Sequence, residues 1–120
     1  MQTGSFALGE TEREKADDRA ALDLVGLVGQ ANEAANFLKA LGHDGRLTIL
    51  CHLQSGPKSV TELENLLSSR QAVVSQQLAR LRLEGLVSAR REGQAIYYSL
   101  LDPKVEATIT LLARLFGKPA

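Results

Sequence analysis

The stretch from Leu66 to Leu100, LLSSRQAVVSQQLARLRLEGLVSARREGQAIYYSL, constrains this chain more than any other part of it. It reads as the end of a short helix, a tight turn at Ser68-Ser69, a second helix from about Arg70 to Glu84, and two strands. Val74, Leu78 and Leu81 recur at helical spacing and mark one buried face. Gly85 stops that helix. Leu86 to Arg91 and Ala95 to Leu100 read as strands joined at Glu92-Gly93-Gln94. Two helices at a tight turn followed by a hairpin predict a winged helix-turn-helix, mainly α with a β-hairpin wing. In that layout the second helix enters the major groove and the wing touches the flanking backbone.

The rest of the chain reads as the scaffold for this unit. At 120 residues it suffices for one domain. Residues 1–16 are expected to form a flexible N-terminal segment, and residues 17–117 the DNA-binding and dimerisation domain. A first helix, beginning at about Thr11 or Asp17, carries an apolar stripe from Leu24 through Ala31, Ala35 and Leu38 to Leu41, weakened at Gly26 and Gly29. Gly42 ends it. A second helix spans about Asp44 to Gln54, and Gly56-Pro57 breaks the chain. Ser59-Val-Thr-Glu62 fits a capping box opening a helix over Val60 to Leu67, and Ser68-Ser69 offers an N-cap to the reading helix. Asp102 and Pro103 open a last helix whose stripe is Val105, Ile109, Leu112, Leu115 and Phe116. A homodimer through the first and last helices is expected, mostly by Ala31, Ala35, Leu38, Ile109, Leu112 and Phe116. Two reading helices would then stand about 34–36 Å apart, one turn of DNA.

Fourteen basic residues balance fourteen acidic ones, but not locally. Residues 70–91 hold five arginines against Glu84 alone, and residues 1–36 hold seven acids against three bases. Screening beyond about 8–10 Å makes the local balance the one that DNA would feel. No stretch approaches the roughly 20 apolar residues of a membrane span, and no signal peptide is legible at the N-terminus. The single cysteine, Cys51, has no internal disulfide partner. A cytoplasmic protein is expected. No Ser/His/Asp set, phosphate loop or paired acid motif stands out, so neither catalysis nor a cofactor is expected.

Arginine offers two donors to guanine, and glutamine a donor and an acceptor to adenine. Arg70, Gln71, Ala72, Ser75 and Gln76, near the start of the reading helix, are the candidate base readers, with Ser69 in the turn before them. Arg80, Arg90 and Arg91 are expected to hold phosphates, and Gln94 lies at the wing tip.

The segments AxxFLKALGHDGRLTIL, SVTELENLL, VVSQQLARLRLEGLV and RREGQAIYYSL resemble the arsenic-repressor (ArsR/SmtB) family of bacterial regulators over about residues 31–116. The resemblance implies a homodimer of winged subunits that represses a palindromic operator and lets go when an inducer acts. Two positions depart from the family pattern. Gln77 stands where histidine is common, and Arg70 where a serine often caps the reading helix.

Many relatives of that kind sense metal ions. Here SVTELENLL and the last helix contain no cysteine or histidine, and a tight transition-metal site needs three or four ligands. No metal is expected. The ILCHL stretch is similar to a thiol-sensing branch, the BigR- and HlyU-like repressors, which pair this cysteine with a second near the end of the last helix. Phe116-Gly117 stands at that place, so the two-cysteine switch is ruled out. Cys51 remains either a core residue, favoured by Leu47, Ile49 and Leu50 around it, or a single-cysteine redox or reactive-sulfur sensor. A reading from another class is a protein-interaction module that binds no DNA.

Overall fold

The computed structural model describes residues 24–119. Residues 24–29 are helical, and a turn at Gln30 leads into α1 (Ala31–Leu41). There follow α2 (Asp44–Leu53), β1 (Lys58–Ser59), α3 (Val60–Leu67), α4 (Gln71–Leu83), β2 (Val87–Glu92), β3 (Ala95–Leu100) and α5 (Pro103–Phe116). The expected flexible segment 1–16 and the start of the first helix lie outside the described residues. The chain divides after Asn36 into two units, and the second carries the winged helix-turn-helix. The weakness expected at Gly26 and Gly29 shows as the Gln30 turn. There the Gln30 N–H is shared between the carbonyls of Gly26, at 3.1 Å, and Leu27, at 3.0 Å.

Local chemistry explains where each element begins and ends. Ser59 Oγ accepts from the Glu62 N–H while the Glu62 carboxylate accepts from the Ser59 N–H, so the capping box of α3 is complete. Gly85, at φ 79°, closes α4 in a left-handed turn that a side chain would strain. The Leu86 N–H donates to Leu81 O and the Gly85 N–H to Arg82 O, the paired bonds of a Schellman motif. Leu81 and Leu86 are both buried there. Asp102 accepts from the Lys104 N–H and caps α5, with Pro103 at the first helical position. Burial alone would raise the Asp102 carboxyl. The backbone N–H and the ammonium of Lys104 outweigh that effect and hold it below its usual range.

The core lies where α2, α3, α4 and α5 meet the sheet. Ile49, Leu50, Leu63, Leu78, Leu81 and Val105 are fully buried, and Tyr98 and Leu100 of β3 pack against them. The sheet has the order β1-β3-β2 and is antiparallel throughout. Its two-residue β1, paired as Lys58 with Tyr98 and Ser59 with Tyr97, has no sequence expectation behind it. It anchors the base of the wing to the start of α3. On α5, Val105 and Ile109 are buried in the subunit's own core, Leu112 is half-buried, and Leu111, Leu115 and Phe116 are exposed. Ile109 is therefore unavailable as a dimer contact, contrary to expectation.

Candidate DNA-reading interface

The turn between α3 and α4 is tighter than the sequence suggests. Ser68 takes a left-handed conformation, φ 52°, as the C-cap of α3. The Ser68 and Ser69 N–H groups both donate to Glu64 O. This corrects the expected serine cap on α4: its N-cap is Arg70, with no side-chain hydrogen bond. Ser68 occupies the C-cap position of α3, and the N-cap position of α4 falls to Arg70. The first-turn N–H groups of α4 are left without a capping side chain, an arrangement that favours an anion.

Val74, Leu78 and Leu81 bury one face of α4. At about 100° per residue, Ala72, Gln76, Ala79 and Leu83 run down the middle of the opposite face. Of the expected readers, Arg70, Gln71, Ala72, Ser75, Gln76 and Arg80 are all exposed, and Ser69 is half-buried. Gln76 is central on that face, while Gln71 sits on the flank nearer the core. Val73 (46% exposed), Arg82 and Leu83 are exposed residues of this helix that no sequence expectation named. Val73 offers methyl groups of the kind that meet thymine. The helical wheel places all three away from Val74, Leu78 and Leu81.

The wing is a hairpin with a two-residue tip, Gly93-Gln94, where Gly93 has φ 64°. Arg90 stands opposite Tyr97, and Arg91 opposite Ile96. Because side chains alternate along a strand, the two arginines project from opposite faces of the wing. Gln94 is exposed at the tip. Two expected phosphate holders are paired in the free subunit. Arg80 Nε donates to Glu84 at 3.0 Å, and Arg90 lies 2.9 Å from Glu92. Exposed pairs of this kind are worth about 0–1 kcal/mol, so exchanging a carboxylate for a DNA phosphate costs little. Arg70, Arg82 and Arg91 form no ion pair among the described residues.

Cys51 overturns an expectation. It is exposed, because Asp44, Thr48 and Cys51 share the outer face of α2 while Ile49, Leu50 and Leu53 take the inner one. Its apolar sequence neighbours point elsewhere. Enough protein still surrounds the sulfur for desolvation to push its thiol up from the ordinary value. Native protein is therefore expected to react with a neutral thiol reagent, more slowly than free cysteine at pH 7 and faster as pH rises and the thiolate forms. A native thiol that reacted only after unfolding would contradict the exposed placement. Among the described residues, no cluster of three or more His, Cys, Asp and Glu is placed to share an ion.

A helix-turn-helix with a basic wing and an exposed polar reading helix defines the winged class of DNA-binding regulators. The family model described as bacterial regulatory protein, arsR family, matches residues 43–89. The biofilm growth-associated repressor of Agrobacterium fabrum is 41% identical over 92% of this chain and 94% of its own length. The transcriptional activator HlyU of Vibrio cholerae is 40% identical over 81% of this chain and 90% of its own. The crystal structure of the transcriptional repressor BigR from Xylella fastidiosa superposes with a TM-score of 0.75 at 38% identity, covering 78% of this chain and 96% of that one. The chain belongs to the arsR family of bacterial transcription regulators, in the branch of BigR and HlyU.

Proposed function

We propose that this protein is a repressor that binds a palindromic operator as a homodimer and is released by an inducer. The observation that carries this reading is the exposed face of α4, with Gln76 at its centre and arginines along it and on the wing. Relatives named as repressors support the sign of regulation. Ser69, Arg70, Gln71, Ala72, Ser75 and Gln76 face the bases, while Arg80, Arg90, Arg91 and Gln94 lie along the backbone. The protein works in the cytoplasm and performs no catalysis; among the described residues no helix is long and apolar enough to cross a membrane.

The dimer rests on exposed apolar side chains. Leu115 is 64% exposed, Phe116 78% and Leu38 60%, apolar side chains available to a second copy. Phe116→Glu is expected to give monomers at micromolar concentration in sedimentation and to abolish binding to a palindromic duplex. Dimers that persist in this variant would count against the last helix as interface.

A second reading is favoured by the exposure of Cys51. On it the inducer is an oxidant or a reactive sulfur species, and one thiol becomes a sulfenic acid, a persulfide or a mixed disulfide. Cys51→Ser would then keep DNA binding and lose release by that reagent. Release that persists in the variant would remove this reading.

A further inference from the structure

Gln77 is the central residue of α4 and does not belong to its DNA-facing side. It is half-buried, and its Oε1 accepts from Arg46 Nη1 at 3.2 Å. Arg46 lies in the first turn of α2 and holds two further acceptors. Its Nε donates to Ala40 O at 2.6 Å and its Nη2 to Lys39 O at 3.1 Å. Those are carbonyls of the last turn of α1, where Lys39 O also accepts from the Gly42 N–H at 3.3 Å. One guanidinium thus ties the end of α1, the start of α2 and the middle of α4. Guanidinium carries only donors, so the amide atom facing it must be the oxygen, and the orientation of Gln77 is fixed by chemistry.

The side chains that bury α4 in the core, Val74, Leu78 and Leu81, are apolar. Among the described residues, the Arg46–Gln77 bond is the only side-chain hydrogen bond from α4 to another helix. Apolar contacts are non-directional and leave a helix some freedom to roll and slide. A charge-assisted hydrogen bond is directional and sets the roll. Gln76 and Arg80 are one and three residues away on the same rigid helix, so their direction follows that of Gln77. Base readout needs placement to within about 0.5 Å, whereas long arginines meet phosphates without such precision.

We propose that Arg46 is a positioning residue for DNA reading. Through Gln77 it sets the roll of α4, and so controls discrimination between operator and other DNA rather than affinity for DNA as such. This rests on the DNA-binding reading given above. Arg46 touches no base on this view and acts only through the helix it grips.

The test uses the full-length dimer, a palindromic duplex selected from random sequences, and a random duplex of equal length. Gln77→Leu keeps the bulk and removes the acceptor. Its melting temperature and sedimentation are expected to match the parent, and its affinity for the random duplex to stay within about twofold. Its affinity for the selected duplex should fall about tenfold, the worth of one well-made base contact. Gln77→His restores an acceptor and should recover most of that loss. A Leu variant with undiminished discrimination would overturn the proposal, as would equal losses on both duplexes or a His variant no better than Leu. A parent that bound neither duplex would overturn the DNA-binding reading itself and the proposal with it.

Discussion

Leu78→Ala is expected to cost about 2–5 kcal/mol of stability, the range for emptying a fully buried leucine site. Leu78 is 0% exposed and sits on α4 between Val74 and Leu81, against α2 and α3. In a domain of this size each kcal/mol moves the melting temperature by about 4–8 °C. A fall of about 10 °C or more should therefore appear in a thermal melt. The reading helix is itself a wall of the core, so DNA binding should fall with stability at growth temperature. Leu83 supplies the control on the same helix. It is 84% exposed, on the opposite face, and Leu83→Ala should stay within about 0.5 kcal/mol. Equal costs at the two positions would mean that α4 is rolled differently from the structure.

The second large effect separates reading from holding. Gln76→Ala should cost about 1–3 kcal/mol on the selected palindrome, relax preference at one base step and leave random DNA unaffected. Gln71→Ala should cost less, since Gln71 flanks the reading face. Arg91→Ala should instead weaken binding to every sequence and flatten the salt dependence by about one unit. Arg90→Ala should do the same, and the Glu92 carboxylate left unpaired, 2.9 Å from the lost guanidinium, adds repulsion toward phosphate. Competition binding between the two duplexes at two salt concentrations distinguishes the patterns. Uniform loss from Gln76→Ala would remove it from the base readers.

The helices were legible because their buried faces are periodic. Val74, Leu78 and Leu81 on α4 are buried as expected, as is Val105 on α5. Ser59 with Glu62, and Asp102 with Pro103, announce their helix starts through the backbone groups they satisfy. What escaped depends on distant partners or on three-dimensional facing. Strand β1 is two residues long and exists only because Tyr97 and Tyr98 pair with it. Ser68 and Ser69 have the chemistry of an N-cap, but Ser68 lies at the C-cap of α3 and Arg70 takes the N-cap position of α4. The exposure of Cys51 escapes sequence because its apolar neighbours in the chain, Ile49 and Leu50, turn to the other face of α2. The grip of Arg46 on Ala40, Lys39 and Gln77 spans up to 31 positions of sequence, and no local pattern encodes it.

On the proposed reading the protein holds duplex DNA through the basic face formed by α4 and the wing. The most direct test of that reading is the affinity of the full-length protein for a palindromic duplex selected from random sequences, measured across a series of salt concentrations. Each phosphate neutralised by an arginine contributes about −0.9 to the slope of log affinity against log salt. The expected result is tight binding at low salt with a steep negative slope, and a shallower slope in Arg91→Ala. No binding at low salt, or binding indifferent to salt, would contradict it.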